Sequence, residues 1–305
     1  MSLGNSASDT KEDVAIENSQ HIEEEIIQPP PVEDLLSICT KLLQMKESIA
    51  FPLRDLLVML CSQNDGQYRS NVIMYIIEEV KLCNSDSGNG NMLHALFHVL
   101  ALIFHEDAVA REVALKAGVV KVATDLLSHW VSSSCDMENS QIPKWVTAAF
   151  LAIDRLSQVD QRLNADIAEL LKKDDVGGHQ TSIVIDEDKK NKLQLSLGLP
   201  SKNISIQEQK RLIEIACGCI RNKLPSETMH AVFQLCSTLT RTHSVAISFL
   251  DAGGLPLQLS LPTSSLFVGF DSIAATIIRH ILEDPQTLQQ AMESEIRHSV
   301  VAAAN

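Results

Sequence analysis

Three histidines lie close together in one apolar stretch, His94, His98 and His105, and the first two are four residues apart. On a helix that spacing puts two imidazoles on one face, an arrangement from which zinc sites are built. Zinc hydrolases place a general base in a His-Glu-x-x-His string, but Ala95 follows His94 here and no third ligand is apparent. The residues therefore predict histidines on the polar side of a buried helix and no metal. Cys217-Gly218-Cys219 has one residue between its thiols, an unusual spacing for zinc, and no partner pair, so buried thiols are expected. No Gly-x-Ser-x-Gly elbow, phosphate-cradling glycine loop or dinucleotide fingerprint occurs. A nucleophilic cysteine needs an activating base in an electropositive setting, and no cysteine has one in its local sequence. Gly253-Gly254 follows a helical run rather than a strand and reads as a helix cap, while the acidic run at 23–25 reads as solvated linker. The sequence predicts no catalytic residue, no cofactor and no metal site of its own.

The elements that carry these residues read as helices throughout. Leu35, Leu36, Ile38, Cys39, Leu42 and Leu43 recur at helical spacing from Val32 onward. A helix over 51–61 follows, with Pro52 in its first turn, then a turn at Asn64-Asp65-Gly66. Val72, Ile73, Ile76, Ile77 and Val80 form one apolar stripe, and a Ser/Asn/Gly loop at 84–91 closes this unit. Helices are expected over 92–104, 109–116, 119–130 and 145–156, with a polar loop at 132–143, and a further helix over 163–171. Residues 172–192 mix charge with Gly177-Gly178 and read as a mobile insertion; Ile183-Val184-Ile185 inside it suits at most a short extended piece. Ser205-Ile206-Gln207-Glu208 matches a capping box. Ser226 is expected to cap the next helix, which carries Val232, Leu235, Cys236 and Leu239 on one face. Asp271 or Ser272 is expected to cap a helix bearing Ile273, Ile277, Ile278, Ile281 and Leu282, and Asp284 to cap the last one with Pro285 at its first position. No Gly, Pro or polar tail follows residues 302–305, so the chain reads as truncated within helix-forming sequence.

Two segments align with each other. ALFHVLALIFHEDAVAREVALKAGVV begins at Ala95 and AVFQLCSTLTRTHSVAISFLDAGGL at Ala231; Ala-x-Phe opens each, and Ala-Gly follows 22 and 21 residues later. The glycine supplies the left-handed conformation that ends one helix and starts the next. Helix–glycine–helix units of this kind build armadillo and HEAT-like stacks, in which neighbouring repeats bury a shared core.

The 305 residues suffice for one elongated helical domain or two compact ones, and they are 45% hydrophobic but only 4% aromatic. Aliphatic side chains must build the core, which stacked helices permit. Residues 1–34 hold nine acidic side chains against Lys11 alone, within a net charge of −14, and no Lys/Arg-rich stripe is visible in the linear sequence. Nucleic-acid binding by counterion release is therefore not expected. Seven scattered cysteines, an odd number, suit a reducing compartment. Without a signal peptide or a run of about 18 apolar residues, a soluble intracellular protein is expected, cytoplasmic or nuclear, with no membrane partner.

The stretch from Asp251 to His298, with its strings LPTSSLF and IIRHILEDPQTLQQAM, resembles a segment of the very large HECT-type ubiquitin-protein ligases, the plant UPL class and its giant animal and fungal relatives. From about Pro31 to Leu250 the chain resembles the armadillo-like region that precedes that segment in the plant members, and residues 1–6 resemble the tail of a ubiquitin-interacting motif, with Ser2 at the motif's serine. The motif's acidic run is missing, so ubiquitin binding through it is expected to be absent or crippled. Gln258 stands where an apolar residue is usual and Val268 where proline is usual. The family's catalytic module is a separate HECT domain with a thioester-forming cysteine, and none of the seven cysteines resembles it.

The expected fold is all-α, an armadillo/HEAT-like α-solenoid with a disordered acidic N-terminal linker. Its expected divisions are a linker at 1–31, helical repeats at 32–171, a flexible insertion at 172–203 and a helical segment at 204–305 containing the family-specific stretch 251–298. The resemblance implies a non-catalytic scaffold and substrate-binding segment of an E3 ligase, meeting protein substrates, and ubiquitin or E2 only through the parent ligase. A free-standing armadillo-type adaptor is the alternative; Trp130 and Trp145, at non-equivalent repeat positions, count against it.

Overall fold

The structure is a computed structural model that describes residues 32–45, 50–83, 90–133, 142–158 and 204–304. The expected linker at 1–31 with Ser2, the helix at 163–171 and the insertion at 172–203 lie outside the described residues. The helices are α1 (Val32–Met45), α2 (Ala50–Gly66), α3 (Arg69–Leu82), α4 (Gly90–Glu106), α5 (Ala108–Lys116), α6 (Val119–Ser133) and α7 (Lys144–Ser157). They continue with α8 (Ile206–Arg221), α9 (Ser226–Leu239), α10 (His243–Asp251), α11 (Gly254–Leu259), a 3-10 turn at Thr263–Ser265, α12 (Phe270–Leu282) and α13 (Pro285–Ala304). No strand occurs among the described residues.

Neighbouring helices form two rows. In the first, α2 packs on α4, α4 on α7, α7 on α9 and α9 on α12; in the second, α3 packs on α5 and α6, α6 on α8, and α8 on α10 and α11. Each row-one helix also touches the second row, so each repeat is buried mainly by its neighbours. The tightest pairing is α4 with α7, and both helices carry small buried residues, Ala95 and Ala101 on α4 and Ala148, Ala149 and Ala152 on α7. Small side chains let the backbones approach, and Phe97 and Trp145 stack beside them with ring centroids 6.4 Å apart. The apolar stripe expected on α3 is fully buried at all five positions. The same holds for Val232, Leu235, Cys236 and Leu239 on α9.

The internal repeat is structural as well as textual. Ala95 and Phe97 in α4 are buried, as are Ala231 and Phe233 in α9. Gly118 and Gly253 both have φ +76°, and each N–H bonds back to a carbonyl three residues earlier, Leu115 at 3.1 Å and Leu250 at 2.9 Å. The two glycines end α5 and α10 identically and start α6 and α11.

The helix ends include three accurate expectations and two corrections. The capping box at Ser205 is complete: its hydroxyl accepts from the Glu208 N–H, while the Ser205 N–H donates to the Glu208 carboxylate at 3.2 Å. Asp284 accepts from the N–H groups of Gln286 and Thr287, both at 2.9 Å, with Pro285 first in the helix. The Asn64-Asp65-Gly66 turn also stands, with all three residues at positive φ. Ser226, by contrast, is inside α9: the Met229 N–H bonds to Pro225 O at 2.9 Å, which makes Pro225 the cap. Likewise Ile273 N–H bonds to Gly269 O at 3.2 Å, so α12 begins before Asp271 and Ser272, and neither caps it. Helix also extends into both expected loops, taking in Gly90 and Asn91 at the first and Ser132 and Ser133 at the second. The serines cost little there, because each hydroxyl returns to the carbonyl four residues back, at 2.9 and 2.8 Å.

Candidate functional site

His94 and His98 do share one face of α4, with ring centroids 6.0 Å apart. The partner of His98 is Arg54 on α2, whose guanidinium lies 2.7 Å from Nδ1. A guanidinium only donates, so Nδ1 is an unprotonated acceptor and is not free for a metal. Burial, reinforced by Arg54 and His94, pushes the His98 pKa below its ordinary value. His105 lies exposed in the last turn of α4. Among the described residues no group of three or more His, Cys, Asp or Glu side chains is placed to hold a metal ion.

The described thiols are inert by position. Cys39, Cys61, Cys83, Cys217, Cys219 and Cys236 are all buried. Burial pushes Cys61 and Cys83 up to about 11, Cys217 and Cys219 up to about 12, and Cys236 well above the ordinary thiol range. Since the thiolate is the nucleophile, such thiols are poorly reactive at neutral pH. Gly218, between two of them, faces α6: a Cβ there would come 3.2 Å from a methyl of Val131. The Cys-Gly-Cys string is thus a close helix crossing with thiols packed on its other sides.

One chain of polar contacts runs along row one. Thr147 and Thr228 bond at 2.8 Å, and Thr238 donates to Asp154 at 2.6 Å, so the starts of α7 and α9 meet and so do their ends. These two helices therefore run parallel. At the same end Thr240, just past α9, bonds to His280 of α12 at 3.0 Å. The carbonyl poles of α7, α9 and α12 consequently share one edge of the row. Arginines gather there: Arg155 in the last turn of α7, Arg241 beside Thr240, and Arg279 in the last turn of α12. Asp154 is fully buried beneath them, and its second carboxylate oxygen has no hydrogen-bond partner. Burial raises its pKa, against the lowering influence of Thr238, Arg155, Gln158 and Arg241. Burial also lowers the pKa of His280, helped by Arg241 and Arg279.

A second, apolar feature lies on α13. Leu288, Met292, Ile296 and Val300 recur every fourth residue and are 37%, 57%, 59% and 63% exposed. Gln258 and Val268, the two family departures, behave oppositely. Val268 is 99% exposed, where residue type matters little to packing. Gln258 is 2% exposed; its amide donates to Ala274 O at 3.2 Å while its own oxygen stays buried and unpartnered. Sequence reasoning missed Asp107, which caps α5 by accepting from Val109 and Ala110 N–H, both at 2.9 Å, and also pairs with Arg69 of α3. The signal was present, an Asp directly before the helix. It missed the Arg155–Arg241–Arg279 edge for a different reason, since only parallel packing of three helices assembles it. Ser2 lies outside the described residues.

Two packed rows of helices with matched glycine corners define a protein of the armadillo/HEAT-like helical-repeat class. The family follows from its relatives. The chain is 35% identical over 98% of its length to the E3 ubiquitin-protein ligases UPL2 and UPL1 of Arabidopsis thaliana, and it spans 9% of each. It is 29% identical over 52% of its length to the E3 ubiquitin-protein ligase HUWE1 of Rattus norvegicus, spanning 4% of that protein. No protein-family model matches the chain. The chain is homologous to a small internal region of the UPL class of HECT-type ubiquitin-protein ligases. No described helix is long and apolar enough to cross a membrane.

Proposed function

We propose that this chain is a non-catalytic scaffold segment of a UPL-type ligase arm, holding protein partners for ubiquitination carried out elsewhere in the parent polypeptide. The observation that carries this reading is the contrast between a match across 98% of the chain and six buried thiols whose raised pKa values disfavour thioester chemistry. The exposed stripe on α13 supports it: repeat stacks bury such faces against a further repeat, and leaving one open costs solubility. A scaffold of this kind raises the effective concentration of substrate at a distant active site without chemistry of its own. The motif remnant around Ser2, which lacks the acidic run, contributes no ubiquitin binding in this reading.

The test is a thioester assay in which the chain is incubated with ubiquitin-charged E2 and resolved without reductant. No reductant-sensitive ubiquitin adduct is expected. An adduct on any cysteine overturns the non-catalytic reading. In the same reading, an immunoblot of the native tissue shows a product far larger than 33.5 kDa.

A further inference from the structure

The edge of row one carries three arginines with no ion-pair partner among the described residues: Arg155, Arg241 and Arg279. Each adjoins in sequence a member of the hydrogen-bonded bridge across α7, α9 and α12: Arg155 follows Asp154, Arg241 follows Thr240, and Arg279 precedes His280. The bridge therefore fixes all three at one edge, whatever the rotamers of the long side chains. Cations at helix C-termini offset the carbonyl pole, and that accounts for one charge per helix. It does not account for guanidinium forks that make no ion pair among the described residues. Among the described carboxylates at this edge, Asp154 is fully buried and turned to Thr238, while Glu283, the cap of α12, makes no ion pair with Arg279.

We infer that Arg155, Arg241 and Arg279 form a docking edge for an extended acidic protein segment, with one carboxylate taken by each guanidinium. Adjacent packed helices stand about 8–10 Å apart, so successive arginines repeat at about that distance. An extended chain advances about 3.3 Å per residue, so acidic side chains at every third position match the row. Arginine's planar fork suits carboxylates better than lysine's point charge. Three cations are too few for the counterion release that drives nucleic-acid binding. This inference deepens the scaffold reading and rests on it for the kind of partner only. Its test involves neither ubiquitin nor E2, so its failure leaves the thioester result untouched.

The test titrates the full 305-residue chain into a fluorescein-labelled twelve-residue peptide carrying Glu at every third position and follows anisotropy, with a Gln-for-Glu peptide and a thymidine oligonucleotide as comparisons. Saturable binding of the Glu peptide, weakened by added salt, is expected. Each of R155Q, R241Q and R279Q should weaken it about two- to fivefold, the range of exposed charge pairs, and the triple variant more than about tenfold. K81Q, at the α3 residue already paired with Glu78, should change nothing. Equal binding of the Gln peptide or undiminished binding by the triple variant overturns the inference. So does tighter, equally arginine-dependent binding of the oligonucleotide. Should the triple variant melt early, the Gln peptide on unaltered protein still decides.

Discussion

Substituting alanine at Gly118, Gly253 and Gly254 separates two physical costs that look alike in sequence. At Gly118 and Gly253 a Cβ would meet nothing within 4 Å, so no packing is disturbed. The whole penalty is the left-handed backbone, about 1–2 kcal/mol for a residue with a Cβ. Alanine also restricts the unfolded chain, which returns about 0.4–1 kcal/mol. A net loss of about 1 kcal/mol is expected at each, and the two should agree because both have φ +76°. Gly254 is different: a Cβ there would lie 2.5 Å from Cζ and 2.6 Å from Cε1 and Cε2 of Phe249, a fully buried ring. Overpacking of that kind costs about 1–3 kcal/mol, and Phe249→Leu should relieve part of it in the double variant. Urea unfolding followed by helical circular dichroism reads these variants, the Phe249→Leu single variant and the parent. A Gly118→Ala variant as stable as the parent, or a Gly254→Ala loss unchanged by Phe249→Leu, would refute this division of costs.

Gln258→Leu should raise stability by about 1 kcal/mol, because it removes a buried unpaired oxygen, while the Ala274 carbonyl it releases already lies within a helix; a lower melting temperature counts against this. Asp107→Ala removes both the α5 cap and the partner of Arg69, and a loss of about 1–2 kcal/mol is expected in the same unfolding assay. Asp154 has a raised folded-state pKa, so the folded protein keeps that proton longer than the unfolded chain does. Its contribution is most favourable below the ordinary Asp value and declines as pH rises through the raised one. Asp154→Asn should therefore stabilise at pH 7 by an amount that shrinks toward pH 4 in melting curves; an equal increment at both pH values would show that the carboxylate's charge is not the cause. The six described thiols should react with Ellman's reagent only on unfolding, and rapid labelling of any of them in native protein would contradict their burial.

Much of the fold was legible because helical periodicity is local. The stripe from Val72 to Val80 needs only a 3.6-residue repeat to announce its buried face, and Ser205, Asp284 and Gly118 announce helix ends by their own side chains or lack of one. The misplaced caps at Ser226 and Asp271 share a cause. Residue preference identifies which side chains are able to cap, but a backbone bond formed one or two residues earlier decides where the helix starts.

The sequence by itself determined that the chain is helical, repetitive and kin to the UPL ligases, since composition, spacing and the string from Asp251 to His298 are properties of order along the chain. Tertiary structure alone decided what those helices bring together. Arg54 reaches His98 from another helix and occupies its Nδ1, and burial of both thiols turns Cys217-Gly218-Cys219 from a possible ligand pair into inert packing. Arg155, Arg241 and Arg279 become neighbours only because α7, α9 and α12 lie side by side with their carbonyl ends at one edge. Periodicity fixes which face of a helix is apolar. Which other face it meets depends on contacts between residues far apart in the chain, and no local pattern encodes those.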